Sequence, residues 1–300
     1  MEWYKIKEKS AGKKRLLLTW YLYKILGTKV ALLIAFFVAI VTLLANKDIK
    51  KFSHEYFETL YNYTNDKTFK PTFCNSFRHV YSYAESLVYK MEAFAGTFNN
   101  KKIAFADKEA KENLFAQINR KEGVLFLCNH VGNVDMMKSF LADNSIVQPS
   151  SVTIFLQKEH CTTFNQFINS VAKKHDNLKV YPIEEIDLST VAQLDDDLNN
   201  GGIAFIAGDR IAANNPDRVV ELELLGRKIN LPQGSFRLAK ILDSHVYFVS
   251  CLKSKNGYDI FLEEQLDKNN DTIMRNYLLF LEKMINKAPW QFYHFYTFFK

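Results

Sequence analysis

Residues 123–135 read GVLFLCNHVGNVD, and they give the clearest indication of the fold class. Its apolar part, GVLFLCN, is a bounded run typical of a strand buried inside a sheet. Such a strand delivers His130 at its carboxyl end, which is the edge where open α/β sheets place their ligand sites. Gly132 and Asn133 predict a turn after the strand, and Asp135 then opens the following helix.

Apolar strands and amphipathic helices alternate over most of the chain. Strands are predicted at 103–106, 123–129, 150–156, 178–183, 202–208, 219–226, 245–252 and 258–263. Helices are predicted within 48–98, between the first strand and about residue 120, and at 133–142, 164–174, 188–199, 233–243 and 270–286. This order predicts an α/β sheet with helices on its faces.

His130 and Asp135 have the spacing of a candidate acid–base pair. With His130 in the turn and Asp135 in the first helical turn, the carboxylate can reach back to the imidazole. A general base needs this arrangement, because one ring nitrogen faces the substrate while the carboxylate fixes the tautomer and stabilises the imidazolium. The alternative is a loop histidine beside an aspartate that only favours a helix N-terminus.

The N-terminal part combines positive charge with a long apolar run. Residues 30–45 carry no charge, and with flanking residues they are long enough to cross a bilayer. The positive-inside rule puts the body outside for a single crossing, whereas a re-entrant or interfacial hairpin hinged near Gly27 keeps it cytoplasmic. A buried core helix is the other alternative. We predict a membrane-anchoring segment at 1–47, a helical region at 48–98 and an α/β domain at 99–300.

Composition narrows the class of protein. The chain has 300 residues, 48% hydrophobic and 14% aromatic, with a formal charge of +6, so overall disorder is excluded. The basic residues cluster beside the apolar run without a nucleic-acid motif, which favours a membrane over a nucleic acid as partner. Cys74, Cys128, Cys161 and Cys251 are scattered, which indicates neither disulfides nor a structural zinc site and fits a reducing location.

Several stretches together resemble a known family. The strand followed by N-H-x-G-N-x-D is similar to the H-x4-D/E motif of the glycerolipid acyltransferase superfamily, in particular the branch of the lipid A biosynthesis lauroyl/myristoyl acyltransferases. IAFIAGDR (203–210), ELLGRKINLPQGSFRLAK (223–240) and PWQFYHFYTFF (289–299) resemble that branch's Asp-Gln strand, its Gly/Pro block and its aromatic ending. Val134 and Arg210 depart from the pattern, since the branch tends to have Trp and Gln there.

The resemblance implies a fold, an activity and a location. The fold would be α/β, a mixed central sheet flanked by helices, preceded by an N-terminal membrane-associated helical segment. The activity would be transfer of a fatty acyl group from acyl carrier protein or CoA to a hydroxyl or amine of a lipid-like acceptor. His130 would be the general base and Asp135 would hold it. We expect no cofactor besides the acyl donor, no metal ion, and a place at the cytoplasmic face of a bacterial inner membrane.

The candidates for substrate binding are Asn133, Lys158, Asp209, Arg210, Gly226 and Gly234. Arg210 follows a predicted strand and is suited to a phosphate of the acceptor or of the donor's phosphopantetheine. Its alternative role is a surface ion pair with Asp209 or Asp217. Lys158 lies where the branch often has an arginine, and is equally well a solvated lysine. The two glycines either allow close backbone approach or serve as turn and helix-start residues.

Some alternatives stay open from the sequence. A catalytically inactive relative that binds a lipid or a carrier would keep the same fold, although the presence of both His130 and Asp135 disfavours it. Sugar, glycerolipid, amino-acid lipid and pigment acceptors are all compatible with the motifs, as are different acyl lengths. The remaining histidines, His54, His79, His160, His175, His245 and His294, show no pattern and are expected in ordinary hydrogen-bonded or surface roles.

Overall fold

The computed structural model describes residues 13–95, 97–137, 146–158, 161, 177–212, 214 and 216–300. The helices in this part are α1 (Lys13–Ala45), α2 (Lys47–Thr64), α3 (Phe73–Ala95), α4 (Lys108–Asn119), α5 (Leu188–Asn199), α6 (Gly234–Ile241) and α7 (Asn270–Lys287). The strands are β1 (Ile103–Phe105), β2 (Val124–Gly132), β3 (Val152–Leu156), β4 (Leu178–Pro182), β5 (Ile203–Ala207), β6 (Val219–Leu224), β7 (Arg227–Pro232), β8 (His245–Lys253) and β9 (Tyr258–Glu264). The helix predicted at 164–174 lies outside the described residues, as does 138–142 of the helix predicted at 133–142.

A seven-stranded sheet forms the centre of the described structure, in the order β1-β9-β8-β2-β5-β3-β4. Strand β2 pairs in parallel with both β5 and β8, while β8 and β9 are antiparallel. The sheet is therefore mixed, and helices cover it on both faces. This confirms the α/β fold class.

Alternation of side chains along β2 explains why both faces are covered. Leu125 and Leu127 point into a core shared with α2, α5, α6 and α7, whereas Phe126 and Cys128 point into a second core shared with α4. All four side chains are buried. Successive side chains of a strand point to opposite faces, so a strand buried on both sides needs an uninterrupted apolar run.

The strand predicted at 219–226 does not join the central sheet. It forms β6, which pairs with β7 in a separate antiparallel hairpin. The run RKINLP of β7 was not predicted as a strand, although Ile229 and Leu231 alternate with Lys228 and Asn230 as in a half-buried strand. Leu225 and Gly226 connect the two strands at positive φ, as two-residue hairpin turns require.

Helix α1 packs against α3 through one narrow side. Ala31, Ala35 and Ala39 are buried at four-residue spacing, which places them on one face of the helix. The opposite side exposes large apolar residues, including Leu33 and Phe37. The segment Tyr23–Ala45 is the one described helix that is long and apolar enough to cross a membrane. Gly27 has φ 74° and ψ 171°, which interrupts the helical backbone inside α1.

Candidate active site

Two neighbouring parallel strands bring His130 and Asp209 together. Cys128 of β2 pairs with Ala207 of β5, and His130 and Asp209 each follow two residues later in the chain. The Gly208 N–H donates to the Cys128 carbonyl at 2.9 Å, which keeps the strands in register at their ends. The two side chains therefore meet at the carboxyl edge of the sheet.

Asp209 accepts two hydrogen bonds from the same histidine. Its Oδ1 lies 2.7 Å from Nδ1 of His130, and its Oδ2 accepts the His130 backbone N–H at 2.7 Å. The Asp209 side chain has 0% exposure, whereas that of His130 keeps 28%. A carboxylate accepts, so Nδ1 carries the proton, and we assign the lone pair to Nε2. Among the described residues, Nε2 has no hydrogen-bond partner.

The charges around the pair keep the imidazole neutral and the carboxylate ionised. Burial, and then the positive charge of Arg210, lower the pKa of His130 below its ordinary 6.5 despite the opposing charge of Asp209. Burial would raise the pKa of Asp209, but the charges and hydrogen bonds of its histidine neighbours hold it well below 3.8. At neutral pH the site thus contains a neutral imidazole hydrogen-bonded to an ionised carboxylate, an arrangement suited to general-base chemistry.

Asp135 does not occupy the position that the sequence analysis expected. Its carboxylate pairs with Lys90 of α3 at 2.7 Å, and the ring nitrogen Nδ1 of His130 is bonded to Asp209 instead. Gly132 turns the chain at φ +79°, and a Cβ there would lie 2.2 Å from the Cys251 carbonyl oxygen. The chain therefore turns towards α3 after His130. Asp135 still acts on His130 through its charge, which raises the pKa of the ring and is outweighed by burial.

Asn133 supports the turn between these groups. Its backbone N–H donates to the Cys251 carbonyl at 2.7 Å, and its side-chain Nδ2 donates to the Ser86 carbonyl at 2.9 Å. The residue is buried. Its contacts join β2, β8 and α3, and they hold the turn that follows His130.

The other predicted binding residues are distributed unevenly. Arg210 follows Asp209 directly and acts electrostatically on His130. Lys158 is 69% exposed and pairs with Glu185 at 2.6 Å. Gly226 lies in the β6–β7 turn, and Gly234 begins α6 with open space around it. No contact recorded among the described residues joins Lys158 or these glycines to His130.

Sequence reasoning missed His294. The C-terminal segment, residues 289–300, runs beside the end of β2. Phe292 forms an antiparallel bridge with Val131, and the Tyr293 N–H donates to the His130 carbonyl at 2.9 Å. His294 thereby comes within 3.3 Å of Asp209, measured from Nε2 to Oδ2. The fixed position of this segment next to β2 is a tertiary feature, so nothing local in the sequence indicated it.

His130, Asp209 and His294 also have the composition of a metal-binding cluster. Their candidate ligand atoms lie within 4.8 Å of one another. However, the 2.7 Å between Nδ1 of His130 and Oδ1 of Asp209 is a direct hydrogen bond. A zinc ion needs about 2.0–2.1 Å to each ligand atom, so these two atoms would have to separate to bind it. The observed distance therefore fits a shared hydrogen bond better than a bound metal ion.

Comparison with known proteins agrees with the motifs. A protein-family model described as "bacterial lipid A biosynthesis acyltransferase" matches residues 81–300. The matched range contains β2, β5 and the C-terminal segment, and therefore every group of the site described above. A search of curated proteins finds no match to the chain.

Proposed function

Because the chain belongs to the bacterial lipid A biosynthesis acyltransferase family, and so is an acyltransferase, we propose a specific reaction for it. It moves a fatty acyl group from an acyl thioester, on acyl carrier protein or CoA, to a hydroxyl or amine of a lipid-like acceptor. The observation that carries this proposal is the His130–Asp209 pair, with a neutral imidazole whose Nε2 has no hydrogen-bond partner among the described residues.

His130 acts as the general base. Its Nε2 takes the proton from the acceptor as the acceptor oxygen or nitrogen attacks the thioester carbonyl. The new C–O or C–N bond forms, the C–S bond breaks, and the imidazolium returns the proton to the departing thiolate. Asp209 stabilises the imidazolium through the Nδ1 hydrogen bond. A base of this kind contributes about 10²–10⁴-fold to the rate, and positioning supplies much of the rest.

Asp135 and Arg210 act beside this pair. Asp135, held by Lys90, adds negative charge near His130 and so favours the imidazolium without touching it. Arg210 is assigned to a phosphate of the donor or acceptor, because a guanidinium binds phosphate through paired hydrogen bonds. A bound phosphate would also offset the positive charge that lowers the pKa of His130.

Helix α1 anchors the enzyme where its substrates are. The exposed apolar side of Tyr23–Ala45 suits lipid, and the basic residues before it suit anionic headgroups. We place the catalytic body at the cytoplasmic face of a bacterial inner membrane, where acyl carrier protein and CoA thioesters are available.

The test is acyl transfer by the full-length protein in phosphatidylethanolamine/phosphatidylglycerol vesicles. Palmitoyl-acyl carrier protein or palmitoyl-CoA is supplied with a bacterial lipid extract, and mass spectrometry follows acylated lipids. We expect the amount of thioester consumed to equal the amount of lipid that gains one acyl group. With His130→Ala we expect no acylated lipid. Carrier or lipid binding without turnover, under all donor and acceptor combinations, would instead support the inactive binding protein.

A further inference from the structure

The second histidine beside Asp209 lies in a closed aromatic cage. The His294 ring stacks on Phe292 at 4.2 Å between centroids, and Phe298 and Tyr296 contact it at 4.5 and 5.1 Å. Its side chain has 0% exposure. Burial lowers its pKa well below 6.5, so the ring is neutral and has one N–H to donate.

Among the described residues, Asp209 is the one ionised acceptor that acts on that ring. Nε2 of His294 lies 3.3 Å from Oδ2, but without the alignment of a hydrogen bond. The ring also faces the backbone carbonyl of Asp209, which raises the pKa of His294 against the effect of burial. Among the described residues, neither ring nitrogen makes a well-aligned hydrogen bond. An unpaired buried donor is unfavourable, and catalytic hydrogen bonds often align only when substrate is bound. The His130 ring meets the His294 ring edge-on at 5.6 Å, so the three groups form one cluster.

We propose that His294 is a positioning residue, which donates its Nε2–H to Oδ2 of Asp209 and so fixes the carboxylate that orients His130. This proposal rests on the proposed function of His130 as the base. Asp209 then accepts three N–H groups, two from His130 and one from His294. A buried carboxylate with three donors stays ionised and keeps its orientation.

The N–H that His294 donates also weakens the attraction of the Asp209 carboxylate for a proton on His130, and so lowers the pKa of His130. In the part of the chain that the structure describes, the titratable or charged groups that act within this cluster are His130, His294, Asp209, Arg210, Asp135, Cys128, Tyr277 and Tyr296. Of these, the side chain of His294 lies 3.3 Å from Oδ2, the oxygen that also accepts the backbone N–H of His130. Removing it leaves more negative charge on Asp209, which raises the pKa of His130 and weakens the orientation of the carboxylate.

The test compares three variants of the full-length protein in vesicles. His294→Phe keeps the aromatic cage but removes the donor, and His294→Gln restores an N–H donor. Phe298→Leu loosens the cage and leaves the donor in place. With His294→Phe we expect kcat to fall about tenfold, the scale of one hydrogen bond to a charged group. The acidic limb of kcat/KM should move upward by about half a pH unit or more. His294→Gln should recover most of the lost kcat and most of the shift of the acidic limb. Phe298→Leu should lower Tm without moving the acidic limb of kcat/KM.

Nitrogen NMR of ¹⁵N-histidine-labelled protein supplies a readout that does not depend on turnover. The His130 ring signals, identified by their loss in His130→Ala, should titrate at higher pH in His294→Phe than in the native protein. If the native protein transfers no acyl group but this shift is seen, the proposed function fails and the positioning role stands. An unshifted titration in folded His294→Phe would overturn the proposal, as would a shift of the same size in Phe298→Leu.

Discussion

Replacing Asp209 with asparagine tests the identity of the group that orients the base. Each carboxylate oxygen accepts one N–H of His130 at 2.7 Å, one from the ring and one from the backbone. Asparagine has a single acceptor oxygen. If that oxygen accepts from the ring, the amide NH2 faces the backbone N–H, donor against donor. If it accepts from the backbone, the NH2 donates to Nδ1 and the proton moves to Nε2, where the base must be free.

The expected loss follows from these two orientations. The first leaves a buried donor unsatisfied at about 1–3 kcal/mol, so the second, inactive tautomer dominates by about ten- to a hundredfold. The active fraction also loses the anion that stabilises the imidazolium. Together we expect kcat to fall by about 10²–10⁴, which is roughly 3–5 kcal/mol of transition-state stabilisation.

The assay is thioester cleavage by Asp209→Asn in vesicles, with thermal melting as the folding control. Asp135→Asn is the matched variant, because that carboxylate pairs with Lys90, whereas the His130 ring pairs with Asp209. We expect Asp135→Asn to lose less than about tenfold, the scale of a nearby but non-bonded charge. A larger loss in Asp135→Asn than in Asp209→Asn would refute the reasoning and return the orienting role to the H-x4-D spacing.

Four further predictions follow from the described residues. Because the pKa of His130 is lowered, the acidic limb of kcat/KM should have its midpoint below pH 6.5, and a midpoint above 7 would contradict the assignment. Gly132→Ala should unfold or inactivate the protein, since its Cβ would lie 2.2 Å from a carbonyl oxygen, whereas Gly234→Ala, with open space, should melt within a few degrees of the native protein. Deletion of 1–46 should move the protein out of the membrane fraction in cell fractionation, and 1 M salt alone should not release the intact chain. Burial lowers the pKa of His79 to about 4, so the stabilisation from its neutral form is fully present above pH 6.5 and is lost as the pH falls towards 4. In urea titrations, the unfolding free energy of His79→Gln should therefore fall by about 3 kcal/mol less than that of the native protein between pH 7 and pH 4. An equal fall in both proteins would contradict this prediction.

Local patterns predicted most of the elements that carry the site. The run GVLFLCN was predicted as a strand from its unbroken apolar character, and it forms most of β2. The helix predicted at 188–199 is α5, which begins after Asp187, and the side chain of Asp187 caps its N-terminus. The hairpin was predicted only in part. Leu225 holds φ 52° in its turn, a conformation that asparagine or glycine usually marks in sequence.

The hydrogen-bond partner of His130 could not be predicted from local sequence for a different reason. Both His130 and Asp209 were placed at strand ends, but β2 and β5 are far apart in the chain and their adjacency is a property of the sheet order. Asp135 was preferred because it is near in sequence. The parallel register of Cys128 with Ala207 is what decides in favour of Asp209. His294 depends in the same way on the docking of the C-terminal segment against Val131.

The central claim is that His130 and Asp209 act as one acid–base unit in acyl transfer. A double-mutant cycle of His130→Ala, Asp209→Asn and the double variant, all measured as acyl transfer in the same vesicles, tests it most directly. Residues that act as a unit are strongly non-additive, so the double variant should be no slower than His130→Ala alone. If the two losses multiply instead, or if folded His130→Ala keeps its turnover, the pair is not the catalytic unit.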